Sequence, residues 1–192
     1  MSHSAFDSVV LTAQLNPQRP LPPVDHWTPP LLGDMDLRIT RDGVWHHAGT
    51  PIQREPLIHL FASILRQDED GCYYLVTPAE KWRIQVDDAP FLAIQLDVSG
   101  TGPSQNLTFT TNVGDIVTAG LDHPLIVEYP VPGGEPSPHI HIRSRLHALL
   151  SRAVFVELAE LGEERQIAND RFYGVWSQGQ FFNLGQLDDR AI

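Results

Sequence analysis

Three cationic side chains, those of Lys81, Arg54 and Arg143, are the residues of this sequence best suited to hold a ligand. Lys81 is the only lysine among the 13 basic residues of the chain. An ammonium group is a compact charge that suits a phosphate, and a guanidinium can grip a phosphate through two parallel hydrogen bonds. The three side chains therefore predict a site for a small anionic ligand. The alternative is that Lys81 is a solvated strand residue and that the two arginines cap helices and pair with acids.

Trp45 and Trp176 are the aromatic side chains predicted to form an apolar wall beside that ligand. An indole ring can stack on a planar ligand such as a nucleic-acid base. The same ring is also an ordinary part of a hydrophobic core, and core packing is the alternative for both tryptophans.

Two histidines provide a weaker candidate for metal chemistry. His139 and His141 alternate along a predicted strand, so both imidazoles point to one face and form a usable ligand pair for zinc. A third ligand would come from His123, His147 or an acid. The functional interpretation is a metal-assisted hydrolase, and the alternative is an exposed pair of histidines without a metal.

Recognised catalytic signatures are absent from the sequence. No nucleophile elbow surrounds Ser177, and neither a phosphate-binding loop nor a dinucleotide fingerprint occurs. Asp87 and Asp88 resemble a carboxylate pair, but adjacent strand residues diverge, so we expect a turn in which they bind backbone amides. These observations favour a protein without catalytic activity and without a cofactor.

Composition restricts the class of partner. The formal net charge of −11 argues against non-specific binding of nucleic acid, which requires a basic field. The single cysteine, Cys72, allows no internal disulfide. No apolar run approaches the ~20 residues of a membrane-spanning helix, and the first residues lack the features of a signal peptide. The sequence therefore predicts a cytoplasmic protein that does not bind membranes.

The elements that would position Lys81 form a hairpin and a helix. Residues 73–76 and 82–86 have strand patterns on either side of a turn at Thr77 and Pro78, with Trp82, Ile84 and Val86 on one face. Before this hairpin, Pro56 opens a helix whose apolar stripe continues to Leu65. Upstream, residues 1–30 are predicted to form a short helix and a proline-rich arm.

A similar order of elements recurs in the second half of the chain. The pattern predicts a helix that is capped by Ser144, has an apolar stripe from Leu146 to Leu161 and ends at Gly162. A hairpin turning at residues 177–179 follows it. This order aligns Arg54 with Arg143 and predicts a duplication, with a first module at residues 31–89 and a second at 90–192. Two related modules would leave a cleft for a ligand between them.

Short motifs spread along nearly the whole chain resemble a known family. They are Trp27, Pro29-Pro30, Gly33-Asp34, Asp42-Gly43-Val44-Trp45, Gly49-Thr50-Pro51-Ile52, Arg54, Leu60-Phe61 and residues 75–81, 87–91, 110–115, 174–177, 179 and 181–182. In these motifs the chain resembles an uncharacterised bacterial family, domain-of-unknown-function family 1285.

The resemblance implies a duplicated α+β fold whose C-terminal half is superficially like a pleckstrin-homology domain. It also implies a site for a nucleotide-like ligand at the domain interface and a role in signal transduction. Together with the cations, it predicts a non-enzymatic sensor or adaptor that binds a small anionic ligand between two modules. The alternatives are the metal-assisted hydrolase and a protein-interaction module that binds a protein partner and no small ligand.

Overall fold

The computed structural model describes residues 21–130 and 134–187. The helix predicted near Phe6 and the prolines at positions 17 and 20 lie outside the described residues. The chain divides into two compact units. The first contains residues up to Pro90 together with Ser144–Leu146, and the second contains Phe91–Arg143 and residues from His147 onward.

The first unit is built on a six-stranded sheet. Its elements are β1 (Leu31–Ile39), β2 (Trp45–His47), β3 (Thr50–Pro51), α1 (Glu55–Ser63), β4 (Leu65–Gln67), β5 (Tyr73–Val76) and β6 (Lys81–Val86). The spatial order is β3-β2-β1-β6-β5-β4. Strands β1 and β6 are parallel, whereas the other neighbours are antiparallel. The hairpin predicted around Lys81 is therefore present and pairs with β1.

The second unit contains a six-stranded sheet and a smaller sheet of three strands. Its elements are β7 (Phe91–Ser99), β8 (Asn106–Thr111), β9 (Ile116–Thr118), β10 (Leu125–Glu128), β11 (Ser137–Arg143), β12 (Leu146–Leu150), α2 (Arg152–Glu160), β13 (Glu163–Ile167), β14 (Asp170–Ser177) and β15 (Gln180–Leu187). The large sheet has the order β10-β11-β12-β7-β8-β9, and the small sheet has the order β13-β14-β15. Strand β13 lies in a stretch where the sequence pattern had indicated no strand.

The predicted α+β duplication is confirmed, but its alignment differs from the predicted one. In both large sheets the sixth strand of the module pairs in parallel with the first, so β1–β6 correspond to β7–β12. Arg54 lies immediately before α1, whereas Arg143 ends β11. The two arginines are therefore not equivalent, and their predicted alignment was wrong. The cause is that α1 lies between the third and fourth strands, whereas α2 follows the sixth.

The segment after Arg143 is a strand where a helix was expected. Ser144 has a φ of 48° in the turn between β11 and β12, and Leu146–Leu150 form β12. Because β12 lies inside the sheet and is buried along most of its length, its apolar run resembles a helical stripe. Ser151 is the residue that caps α2, since its side chain accepts a hydrogen bond from the Val154 amide.

Helix boundaries also differ from the predicted pattern. Helix α1 ends at Ser63, and Leu65, which was assigned to its apolar stripe, opens β4 instead. Gly162 follows the end of α2, as predicted. Its φ is not positive, so a left-handed backbone does not explain why a glycine is needed there. A Cβ atom on Gly162 would lie 2.4 Å from the ring of Tyr173, so the close approach of that ring excludes a larger residue.

Each large sheet buries one face in a hydrophobic core. In the first unit, Leu37 and Ile39 of β1 are buried with Trp45 and Phe61. In the second unit, the largest fully buried side chains are Phe91, Leu107, Phe109 and Ile140. No helix among the described residues is long and apolar enough to cross a bilayer.

Ser177 joins two segments of the second unit by hydrogen bonds, and we predict a structural role for it. Its Oγ atom donates to the Ala119 carbonyl at 2.7 Å and accepts from the Leu107 amide at 3.1 Å, and the residue is 0% exposed. Ser177→Ala is expected to lower the free energy of unfolding by about 2 kcal/mol, because it leaves two buried backbone groups unpaired. Urea denaturation checks this against the exposed control Ser104→Ala. Equal losses for the two variants would contradict it.

Candidate ligand-binding face

A set of charged side chains lies on one face of the first sheet. On β1 the buried residues Met35, Leu37 and Ile39 alternate with exposed Asp34, Asp36 and Arg38. The same alternation along β6 exposes Arg83 and Gln85 on the side away from buried Ile84, and Asp87 follows directly after β6. We call the set Asp34, Arg38, Arg83 and Asp87 the charged face.

Two ion pairs hold the arginines of the charged face. Arg83 donates to both carboxylate oxygens of Asp34, at 2.7 and 3.0 Å. Arg38 donates in the same bidentate manner to Asp87, at 2.8 and 2.9 Å. The first pair forms directly across the parallel strands, since Asp34 is the register partner of Arg83. Each guanidinium is therefore fixed in orientation while it remains close to solvent.

The ion pairs keep these groups charged. The hydrogen bond from Arg83 lowers the pKa of Asp34, and the reciprocal bond raises the pKa of Arg83. The hydrogen bond to Asp87 likewise raises the pKa of Arg38. Two oriented cations and an Asp34 carboxylate that is ionised near neutral pH suit the recognition of charged ligand groups and do not suit proton transfer by Asp34.

An open groove of about 650 Å³ runs along the charged face. Its volume falls within the range of ~300–1,000 Å³ that is usual for sites of small ligands. Both ion pairs belong to its wall, together with apolar and amide groups. The lining residues are Asp34, Met35, Arg38, Gly71, Tyr73, Arg83, Ile84, Gln85, Val86 and Asp87.

Lys81 lies beside this groove but is not one of its lining residues. Its Nζ atom lies 2.8 Å from Oδ2 of Asp68 and 4.3 Å from the ring centroid of Tyr74. Its side chain is only 18% exposed. Asp68 also accepts from Nε of Arg66 at 2.6 Å, so one carboxylate joins two cations. Lys81 thus has an acidic partner within the first unit, two positions before the groove residue Arg83.

The cluster of Arg66, Asp68 and Lys81 also holds the proline-rich arm. Nη1 of Arg66 donates to the carbonyl groups of Val24 and Trp27, at 2.7 and 2.8 Å. Burial alone would raise the pKa of Asp68, but hydrogen bonds from Arg66 and Lys81 and the two positive charges outweigh it, so the pKa is lowered. The ion pair with Asp68 therefore explains the presence of a lysine at position 81 without a ligand.

The other predicted residues of the first unit, Arg54 and Trp45, are not part of the groove wall. The Arg54 side chain is exposed at the start of α1 and does not cap the helix. Trp45 is 1% exposed and stacks on Phe61, with ring centroids 6.1 Å apart. Its indole therefore packs in the core and does not form a wall of the groove.

Arg143 and Trp176, the predicted residues of the second unit, have partners within that unit. Nη1 of Arg143 donates to Oδ1 of Asp115 at 2.8 Å, and its guanidinium lies 5.0 Å from the ring centroid of Phe91. The indole N–H of Trp176 donates to Glu163 at 2.7 Å, and Arg165 lies over its ring. Both contacts are typical of a structural ion pair and a packed aromatic ring.

The two candidate metal ligands have different surroundings. Nδ1 of His139 lies 3.1 Å from the Ser137 carbonyl, and Nδ1 of His141 lies 3.0 Å from the Asp122 carbonyl. His123 and His147 both lie against His141, with ring centroids 5.8 and 5.3 Å away. Within residues 21–130 and 134–187, no group of three histidine, cysteine or acidic side chains is arranged to hold a metal ion.

Sequence reasoning did not identify the charged face. Asp87 was expected to bind backbone amides in a turn, but it pairs with Arg38, and Asp88 pairs with Arg41 at 3.2 Å. The available signal was the alternation of charged residues along two strands. Both ion pairs of the charged face join residues 49 positions apart. That spacing becomes informative only once β1 and β6 are known to be parallel neighbours.

Two family models match the chain. One, described as "Domain of unknown function (DUF1285), N-terminal domain", matches residues 22–89. The other, described as "Protein of unknown function (DUF1285), C-terminal domain", matches residues 90–184. No curated protein matches the chain.

Two solved structures resemble this protein. A DUF1285 family protein from Silicibacter pomeroyi DSS-3 is 43% identical, with a TM-score of 0.85 and coverage of 97% of both chains. A DUF1285 family protein from Shewanella baltica OS155 is 26% identical, with a TM-score of 0.52, and the match covers 66% of this chain and 91% of that one.

Proposed function

This chain belongs to the DUF1285 family, and we propose that it is a non-enzymatic sensor or adaptor that binds a small ligand through an anionic group. The binding site is the groove along the charged face, and Arg38 and Arg83 hold the anionic group. Such a protein would report the presence of the ligand to a protein partner in signal transduction. A ligand held between the two modules stays a prediction.

The observation that carries the proposal is the pair of oriented guanidinium groups in the wall of one groove. A guanidinium offers parallel N–H donors that match a carboxylate or a phosphate. Asp34 is 68% exposed, so a ligand can replace it on Arg83 and the displaced carboxylate turns into water. The ion pair therefore keeps Arg83 in a binding geometry until a ligand arrives.

The lining of the groove supports binding without catalysis. It contains no histidine, cysteine, serine or lysine, so its candidate acids and bases are limited to Asp34, Asp87 and Tyr73. Asp34 has a lowered pKa and is therefore a poor general acid near neutral pH. Arg38 and Arg83 stay protonated and serve only as donors.

The proposal predicts that binding depends on Arg38 and Arg83. The full chain is titrated by calorimetry with a panel of nucleotides, phosphorylated metabolites and carboxylates. We expect at least one member to bind, and Arg38→Gln/Arg83→Gln to weaken it at least tenfold, because glutamine removes the charge and the forked donors. Lys81→Gln should lower the free energy of unfolding and leave ligand affinity nearly unchanged, because Lys81 pairs with Asp68 and does not line the groove.

Arg171→Gln is the matched control, because Arg171 is an exposed arginine of the second unit that is also paired with an acid. Affinity should be unchanged in this variant. If no compound binds, or if the double variant binds as tightly as the unchanged chain, the proposed site is wrong.

A further inference from the structure

The charges in the groove wall are balanced. Arg38 and Arg83 contribute two positive charges, and Asp34 and Asp87 contribute two negative charges. A polyanion such as a nucleoside triphosphate would meet both carboxylates as well as both guanidinium groups, within a chain whose formal net charge is −11. A ligand with one anionic and one cationic group would find a partner for each.

The two ion pairs have opposite polarity along the groove. Strand β1 carries Asp34 and then Arg38, whereas the parallel β6 carries Arg83 and is followed by Asp87. Each end of the groove therefore presents one guanidinium and one carboxylate. An anionic group on Arg83 takes the place of Asp34, and a cationic group at the opposite end takes the place of Arg38 on Asp87. An anionic group on Arg38 and a cationic group on Asp34 is the reverse arrangement.

The distance between the ends defines the length of the ligand. Asp87 lies four positions after Arg83, and Arg38 lies four positions after Asp34, with a register shift of β1 against β6 between them. At ~3.3 Å per strand residue, the backbone positions of Arg83 and Asp87 lie about 13 Å apart, which is also the length of four extended peptide residues. Between the ends, the amide of Gln85 can donate to and accept from a peptide group.

We infer that the ligand is a zwitterion of about the length of an extended tetrapeptide, with its anionic end on one arginine and its cationic end on the aspartate at the far end of the groove. This inference rests on the proposed function and specifies the class of ligand for the same site. A short peptide with free termini has this chemistry.

Three peptides that differ only at their ends test the inference. Tetraalanine carries both terminal charges, N-acetyl-tetraalanine carries only the negative one, and tetraalanine amide carries only the positive one. The ¹⁵N-labelled full chain is titrated with each peptide, and amide shifts in β1 and β6 are followed by NMR. We expect tetraalanine to bind at least tenfold more tightly than either blocked peptide.

A charge-removing variant gives a second readout. Asp34→Asn/Asp87→Asn should bind tetraalanine at least tenfold more weakly and N-acetyl-tetraalanine more tightly, because the arginines then lack competing carboxylates. The control is Asp97→Asn, an exposed acid of the second unit. This crossed effect does not follow from a general change in stability.

The outcomes separate the two proposals. If N-acetyl-tetraalanine or a phosphorylated metabolite binds as tightly as tetraalanine, and Arg38→Gln/Arg83→Gln abolishes that binding, the zwitterion inference is overturned while the anion site stands. If no peptide and no anion shifts the amides of β1 or β6, both proposals fall. If only tetraalanine binds tightly, and if Arg38→Gln/Arg83→Gln and Asp34→Asn/Asp87→Asn each lose that binding, the anion site and the zwitterion inference are both supported.

Discussion

Gly174→Ala is expected to destabilise the second unit by about 3 kcal/mol, the upper end of the usual cost of overpacking. An added Cβ atom would lie 2.3 Å from the carbonyl oxygen of Phe182 and 2.7 Å from the ring of Phe181. The carbonyl belongs to the backbone of β15, which pairs with β14 along its length. That strand cannot move away without breaking the ladder, so relaxation is limited.

Urea denaturation of the full chain measures the loss, and hydrogen exchange in β14 and β15 locates it. Gly179→Asn is the control in the same hairpin, because Gly179 has nothing within 4 Å of the added Cβ position. Its φ of 74° is one that asparagine tolerates. Equal small losses for the two variants would show that the hairpin accommodates a side chain at position 174.

Asp68→Asn is expected to lower the free energy of unfolding by about 2 kcal/mol, as for hydrogen bonds that involve charged groups. Asparagine keeps the size of the side chain but leaves Arg66 and Lys81 without their shared negative charge. The side chain of Arg66 is only 13% exposed, so water cannot replace the lost interaction of its positive charge. Because Arg66 also holds Val24 and Trp27, we expect hydrogen exchange to increase in residues 24–27.

The same variant should change the pH dependence of stability. The pKa of Asp68 is lower in the folded state than the unfolded value of ~3.9. Its contribution is therefore fully present above ~pH 4 and is lost as the pH falls through the folded pKa. The difference in stability between the unchanged chain and Asp68→Asn should shrink in that acidic range.

Glu69→Gln is the control, because Glu69 is the neighbouring acid and is 89% exposed. It should cost little at any pH. A result in which Asp68→Asn is as stable as Glu69→Gln would mean that the cluster contributes nothing to the fold. Lys81 would then again need a functional explanation.

The sequence by itself determined the features that depend on neighbouring residues. The alternation of Trp82, Ile84 and Val86 gave the buried side of β6, and Pro56 marked the first turn of α1. Asp42-Gly43, a pair of residues typical of hairpin turns, lies in the turn between β1 and β2, with a φ of 78° at the glycine. Such features are local, because period and turn geometry are set within a few residues.

Tertiary structure alone decided which strands are neighbours and therefore which charges meet. Leu146–Leu150 could be identified as a strand only from its place between β11 and β7. Asp34 meets Arg83, and Lys81 meets Asp68, through pairings of distant segments. The physical reason is that strand register over long sequence separation is fixed by the packing of the whole sheet, which no local pattern records.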